Sequence, residues 1–290
     1  MVNRKLTGTL CGIGAAVCYG TNPLGALKLY EQGMTTNNVL FFRFSLAWLI
    51  VAAIVFLRRE SVAVTWRQFR VLTALGLLFI VSSLTLYLSF HHMAAGVAST
   101  ILFTYPVMTA VIMALLFKEK VHLNTIVSIV LSLVGVLLLY WGDGNGVLST
   151  VGVLLVLASA LSYAVYIIVM EKGELEMSSF KINFYVLAYC ALGMLVYSIL
   201  SGLPMQVPHG ATSWLYVLWL ALVPGILALV MMVYAAKYIG STATAIIGAL
   251  EPLTAVLIGV AVFAEPMSLR LLVGIVLILG SVGIITLARR

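Results

Sequence analysis

The stretch IIGALEPLTAVL, residues 246–257, places a carboxylate and a proline, Glu251 and Pro252, inside an otherwise apolar run. Such a glutamate marks either a helix start in a soluble protein or an acidic group inside a membrane. Composition decides between them, because 63% of the 290 residues are hydrophobic and only 9% are charged. Soluble domains are about 25% charged. The stretch therefore belongs to a membrane-spanning segment.

Segments of this kind recur along the whole chain. A helix needs about 20 predominantly apolar residues to cross the hydrocarbon core of a bilayer. The sequence predicts ten such spans: 6–27, 39–57, 71–90, 93–117, 123–141, 147–170, 182–203, 214–236, 242–264 and 269–288. Since the links between them are too short for a soluble domain, we expect an all-α integral membrane protein with ten transmembrane helices.

The 16 Lys and Arg residues are distributed unevenly between alternate links. With the N-terminus placed in the cytoplasm, Lys28 and Arg270 fall outside, Arg43 lies within a span, and all the others fall on the cytoplasmic side. This is the positive-inside pattern. It predicts a multi-pass protein of the cell (inner or plasma) membrane with both termini cytoplasmic. The net charge of +7 thus reflects topology and the lipid bilayer as partner, with no nucleic acid.

The two halves of the chain are similar to each other. Aromatic, basic, proline and acidic residues recur after 144 or 146 positions. These pairs are Tyr19 and Tyr163, Lys28 and Lys172, Pro106 and Pro252, and Glu119 and Glu265. Because each half holds five spans, an odd number, the second half enters the membrane in the opposite sense. We therefore predict two five-helix repeats, 1–144 and 145–290, the second inverted, which is a transporter architecture.

Two matched segments carry a family resemblance. YPVMTAVIMALLFKEK (105–120) and EPLTAVLIGVAVFAEP (251–266) together resemble the signature of EamA-type members of the drug/metabolite transporter superfamily. The resemblance extends over essentially the whole chain. It implies cytoplasmic termini, a central cavity and, as in many members, export of amino acids or related metabolites. These motifs are specific to the superfamily and carry little information on substrate.

Glu251 lies near the middle of its predicted span. A charge at the bilayer centre costs at least about 2.5–3.5 kcal/mol, so the residue is either a proton carrier, a partner for a substrate amine, or a neutral glutamate that joins spans. Pro252 and its counterpart Pro106 should kink their helices and leave a backbone carbonyl free. Tyr105 stands where the second half has Glu251. A cavity with one acidic and one aromatic wall would result, unless Tyr105 simply packs.

Further polar groups lie within the spans. Arg43 has three open roles: it could neutralise Glu251, bind a substrate carboxylate or extend to the outer headgroups, the last being the simplest because its span begins outside. The other candidates are amphipathic side chains that suit a site for metabolites, although each could also be a packed or interfacial residue. They are Tyr19, Asn22, Tyr163, Tyr87 and Tyr234.

Small residues and terminal carboxylates have structural interpretations. Gly8, Gly12, Ala16 and Gly20 are spaced four apart and form one smooth helix face, which favours close helix packing. Glu119 and Glu265 end matched spans on opposite sides of the predicted membrane. We expect both glutamates to stabilise helix junctions, near basic neighbours such as Lys118, Lys120 and Arg270.

These features predict a secondary transporter that exports amino acids or similar small amphipathic metabolites by alternating access, with or without proton coupling. No HExxH, G-x-S-x-G or P-loop motif is present in the sequence, so neither an enzyme, a cofactor nor a metal site is expected. The alternatives are a channel or facilitator for small solutes, and a carrier of nucleotide sugars. We expect a monomer or a weak homodimer.

Overall fold

The computed structural model describes residues 4–118, 123–141, 148–173 and 175–288, and the regular structure within them is helical. The helices are α1 (Arg4–Gly20), α2 (Asn22–Glu31), α3 (Thr36–Leu57), α4 (Trp66–Ser89), α5 (Ala95–Leu102), α6 (Tyr105–Leu116), α7 (Leu123–Trp141), α8 (Thr150–Lys172), α9 (Ser179–Leu200), α10 (Gly210–Ala221), α11 (Ala228–Gly248), α12 (Leu250–Phe263) and α13 (Leu269–Ala288). A π-helical turn, Leu222–Leu227, joins α10 to α11.

Within the described residues, 8 segments are helical, long and apolar enough to cross a membrane. They are Arg4–Glu31, Thr36–Leu57, Trp66–Ser89, Ala95–Leu116, Leu123–Tyr140, Thr150–Lys172, Ser179–Leu200 and Gly210–Gly240. Two shorter apolar helices follow, Leu250–Phe263 and Leu269–Ile284. The chain is thus a multi-pass helical membrane protein, while the number of ten spans and the inversion of the second half stay predictions. The predicted boundary at 144/145, Glu119 and Lys120 lie outside the described residues.

Helices from the two halves alternate in space. The most extensive helix contacts join α1 to α11, α4 to α8, α3 to α9 and α7 to α13, and each pair takes one helix from either side of residue 145. Buried side chains of α3, α4, α7, α8, α9 and α13 belong to one continuous core. A cavity inside the bundle is therefore lined by both halves.

The smooth face of α1 allows close approach of neighbouring helices. A Cβ added to Gly8 would lie 2.7 Å from Tyr238 Cβ, and one added to Gly20 would lie 2.6 Å from the carbonyl oxygen of Glu251. Only glycine leaves room at such distances. The small residues of the first span thus bring α1 against α11 and the first turn of α12.

Polar contacts join the helix ends at one end of the bundle, which we call the His91 end. Thr36 Oγ1 lies 2.9 Å from His91 Nε2, whose ring stacks on Tyr30 at 4.3 Å between ring centroids. Asn37 Nδ2 donates to Ser198 Oγ at 2.8 Å, and both residues are buried. These bonds connect the ends of α2, α3 and α9 with the link after α4.

The opposite end, called the Glu60 end, is also cross-linked. Ser178 Oγ donates to Glu60 Oε2 at 2.5 Å, and Lys181 Nζ donates to the carbonyl of Ala63 at 2.6 Å. The Arg58 guanidinium lies 4.5 Å from the centre of the Phe180 ring. The link between α3 and α4 is therefore held against the start of α9.

The fourth predicted span and its counterpart are both interrupted near the middle. α5 ends at Leu102 and α6 begins at Tyr105, with Pro106 in its first turn. Likewise α11 ends at Gly248 and α12 begins at Leu250, with Glu251 and Pro252 in its first turn. Proline fits a first helical turn because the missing N–H has no partner there. The two breaks place repeat-related residues, Tyr105 and Glu251, at new helix starts inside the bundle.

Candidate functional site

A cavity of about 360 Å³ lies inside the bundle, within the size range of small-molecule sites. Seven of the eight predicted substrate-binding residues line it: Glu251, Tyr105, Tyr19, Asn22, Tyr163, Tyr87 and Arg43. Helices of both halves contribute to this set. The structure therefore brings together residues that lie up to 232 positions apart, from Tyr19 to Glu251 (251 − 19).

One wall of the cavity is basic. The Arg43 guanidinium donates to the Tyr87 hydroxyl, which donates in turn to Asn22 Oδ1 at 3.2 Å. Arg43 is 8% exposed, and its guanidinium lies 5.5 Å from the centre of the Phe44 ring. The interpretation in which Arg43 extends to the outer headgroups is therefore wrong, because the side chain is buried and lines the cavity.

Arg43 and Glu251 share this cavity without neutralising each other. In the part of the chain that the structure describes, no ion pair involves either residue, and the carboxyl group of Glu251 has no hydrogen-bond partner. A buried cation is ordinarily paired or hydrogen-bonded because desolvation is costly. A ligand that carries both an anionic and a cationic group would supply a charged partner to each residue.

A cluster of aromatic rings forms another wall. The rings of Tyr105 and Tyr163 meet edge to face with 4.8 Å between centroids, and Tyr163 stacks on Tyr166 at 5.7 Å. Phe79 contacts Tyr166 at 5.5 Å. Ring faces and edges of this kind bind apolar groups well. This wall comes from α4, α6 and α8.

Phe79, Tyr166 and Asn183 are among the lining residues that were not predicted from the sequence. Tyr166 follows Tyr163 by three residues, so helical spacing placed both on one face and was a usable signal. The sequence gives no such signal for Phe79, because an apolar ring within a span is equally compatible with facing the lipid. Asn183 is a polar residue close to the start of α9, where water is expected.

Tyr234 lies apart from the other candidates. Its side chain is 46% exposed on the outside of α11, with its ring 6.0 Å from that of Tyr238. The π-helical turn Leu222–Leu227 precedes it and contributes Pro224 and Gly225 to the cavity instead. π-helical turns occur frequently at functional sites.

Glu265 occupies a helix junction outside the cavity. Its Oε1 accepts a hydrogen bond from the backbone N–H of Ala95 at 2.8 Å, and Oε2 accepts one from Gly96 at 3.4 Å. Ala95 begins α5, so the carboxylate satisfies two N–H groups that have no partner within the helix. Lys118, one of the basic neighbours predicted for the two glutamates, is not at this junction; it follows Phe117 at the end of α6.

Comparisons with known proteins agree with this architecture. A model of the EamA-like transporter family matches the chain twice, over residues 6–141 and 150–287. An uncharacterized transporter of Archaeoglobus fulgidus is 25% identical over 270 residues, which cover 92% of this chain and 94% of the relative. The uncharacterized transporter YdfC of Bacillus subtilis is 25% identical over 86% of this chain and 81% of its own. A protein of known crystal structure has the same fold, with a TM-score of 0.69, 20% identity and 98% of both chains covered.

Proposed function

Because the chain belongs to the EamA-like transporter family, we propose that it is a secondary transporter that exports amino acids or similar small amphipathic metabolites. The observation that carries this proposal is the cavity in which Arg43 and Glu251 both lack a charged partner within the described residues. An amino acid has a carboxylate for Arg43 and an amine for Glu251. Its side chain would lie against the rings of Tyr105 and Tyr163.

The charge of the lining argues against large anionic substrates. Arg43 is the single basic residue among the described residues that line the cavity. A nucleotide sugar carries two phosphates, and phosphate sites generally use several Arg, Lys or helix N-termini. A small zwitterion requires only one cation, which favours the amino acid over the nucleotide sugar.

Alternating access between two inverted repeats is the mechanism we propose. Its support is the double match of one family model and the equivalent helix breaks before Pro106 and Pro252. Inverted repeats give one central site two similar closing surfaces, one for each side of the membrane. In this proposal the chain has ten spans, with Leu250–Phe263 and Leu269–Ile284 completing the ninth and tenth.

The distribution of basic residues supports a cytoplasmic Glu60 end and an outer His91 end. Arg58 and Lys181 lie at the Glu60 end, where they contact Phe180 and Ala63. Loops rich in Lys and Arg remain in the cytoplasm during insertion. We propose that both termini are cytoplasmic and that the protein resides in the cell membrane.

Proton coupling through Glu251 is the testable part of this mechanism. Counterflow of labelled amino acids into proteoliposomes should be saturable for the wild type and should respond to a pH gradient. Glu251→Gln keeps the side-chain shape and an oxygen that accepts a hydrogen bond from the substrate amine, and it removes the ionisable group, so exchange should persist with weaker substrate binding while the response to the gradient is lost. The measurement is initial uptake with and without the gradient in both proteins.

Glu171→Gln is the matched control, since Glu171 is an exposed carboxylate at the end of α8 whose contact is with its neighbour Lys172. It should keep the gradient response. Exchange without any gradient response in the wild type would mean facilitated transport without proton coupling. Uptake that never saturates and shows no counterflow would identify a channel and contradict the proposed carrier.

A further inference from the structure

The carboxylate of Glu265 joins the two halves of the chain at the His91 end. α12 ends at Phe263, and Ala264 follows in the left-handed conformation with φ 52°. This turn directs Glu265 back onto the start of α5, where it accepts the two backbone hydrogen bonds described above. The residue before α5, Ala94, has no side chain that could cap the helix. A residue of the second half thus supplies the N-terminal cap of a helix in the first half.

Two glycines form the seat of this carboxylate. A Cβ on Gly259 would lie 2.1 Å from Glu265 Oε2, and a Cβ on Gly96 would lie 3.3 Å from the same atom. The Gly96 Cβ would also lie 2.8 Å from the Cα of Val256. Any larger residue at position 259 would displace the carboxylate. The contact between α5 and α12 therefore depends on the absence of side chains at both positions.

The equivalent turn recurs in the first half without this seat. Lys118 has φ 54°, and Ala264, which lies 146 positions later, has φ 52°. The helix that corresponds to α5 is the last part of α11, which begins after Gly240, where φ is 83°. By the same offset of 146 positions, Met113 corresponds to Gly259, and Thr242 corresponds to Gly96.

Met113, at the position that corresponds to Gly259, carries a large side chain and is 2% exposed. The repeats therefore share the backbone turn and differ in the room beside it. A glycine seat for a carboxylate exists in this chain at the His91 end, and the sequence does not provide its mirror image at the Glu60 end.

We propose that Glu265 is a positioning residue that latches the His91 end closed, and that the transporter has this latch at one end only. The inference rests on the alternating access proposed above. Loss of the latch weakens the contact between α5 and α12, so the carrier opens more readily at the His91 end and spends less time open at the other. The relative population of the two open states should change about tenfold, the effect expected of one or two charge-assisted hydrogen bonds.

Thiol labelling of the full-length protein in lipid nanodiscs tests the latch, because both ends are then accessible to a polar maleimide. The native Cys11, Cys18 and Cys190 are replaced by serine. One reporter, Val256→Cys, lies in the contact between α5 and α12, where Val256 is 3% exposed. The other, Ile182→Cys, lies at the Glu60 end near the start of α9, where Ile182 is 9% exposed.

Glu265→Gln and Gly259→Ala should each raise the labelling rate of the Val256→Cys reporter about tenfold and lower that of Ile182→Cys. Opposite changes at the two reporters indicate a shift between two conformations. A rise at both would indicate general loosening of the fold and would overturn the proposal. Unchanged rates at both would overturn it as well.

Two control variants complete the design. Glu31→Gln removes an exposed carboxylate whose partner is Lys28, at the same end of the bundle, and should leave both rates unchanged. Glu119→Gln should also leave them unchanged, and an effect equal to that of Glu265→Gln would refute the one-sided latch. Labelling requires no substrate, so a failure of amino acid counterflow would remove the proposed substrate without affecting this result.

Discussion

Replacing Arg43 with alanine should weaken substrate binding roughly 10- to 150-fold while the protein remains folded. A hydrogen bond to a charged group contributes about 1.5–3 kcal/mol, and each 1.4 kcal/mol is a factor of ten in affinity. Arg43 is the basic residue that faces the cavity, and Tyr87 keeps its hydrogen bond to Asn22 when the guanidinium is removed. The measurement is the concentration of amino acid that half-saturates counterflow.

The melting temperature of Arg43→Ala provides a second test of its role. Removal of one partner of a buried ion pair is destabilising because a charge is left unpaired. Arg43 has no such partner among the described residues, so Arg43→Ala should unfold in detergent at the wild-type temperature or above it. A purely structural arginine would give the reverse result, namely a lower melting temperature with unchanged affinity.

Two further variants complete this test: Arg58→Ala is the control, and Arg43→Lys separates the effect of charge from that of geometry. Arg58 lies at the Glu60 end, over the ring of Phe180, and its loss should change neither affinity nor counterflow. Arg43→Lys keeps the charge and loses the planar, forked geometry that binds a carboxylate through two hydrogen bonds. It should have an intermediate affinity. Equal affinities for Arg43→Lys and Arg43→Ala would show that geometry matters and that charge alone contributes little.

Gly20→Ala should have the largest effect on stability. The added Cβ would lie 2.5 Å from Thr254 Cβ and 2.6 Å from the carbonyl oxygen of Glu251, and both atoms belong to the first turns of α12. Overpacking of this kind costs about 1–3 kcal/mol. Thermal unfolding in detergent should begin at a lower temperature, and transport should fall because Glu251 is displaced.

Gly280→Ala is the matched substitution, since among the described residues no atom outside its own stretch of helix lies within 4 Å of the Cβ it would add. Alanine is the better helix former by about 0.8–1 kcal/mol, so this variant should be as stable as the wild type or more stable. If both variants melt at the same temperature, the close approach of α1 to α12 does not limit stability, and the packing role of Gly20 is refuted.

The apolar spans and the polar midplane residues were predictable because a membrane imposes a strong constraint on both. A polar group in the middle of a span avoids lipid, so Tyr19, Asn22 and Glu251 were expected in the interior, and the structure places them in the lining of one cavity. Pro106 and Pro252 indicated where helices are interrupted, since proline lacks the N–H that a helix interior requires. Whether these residues bind substrate stays a proposal.

Other parts of the site could not be predicted, for identifiable reasons. The direction of the long Arg43 side chain depends on its partner Tyr87, which is 44 residues away in sequence. Phe79 has no polar side-chain atom, so the sequence does not indicate whether its ring faces the cavity or the lipid. Nothing in the sequence distinguishes Gly259 from other small residues of an apolar helix, because its role depends on its contact with the carboxylate of Glu265.

The π-helical turn Leu222–Leu227 has a consequence for how the substrate range of this protein can change. A π-helical turn holds about one residue more than an α-helical turn of the same rotation, so deletion of one residue within Leu222–Leu227 would restore a regular helix and leave the facing of α11 nearly unchanged. Leu229 and Met232 would keep their places in the lining, while the segment that now contributes Pro224 and Gly225 would be reshaped. A single in-frame codon deletion would thereby alter one part of the cavity wall locally, a change that no point substitution makes.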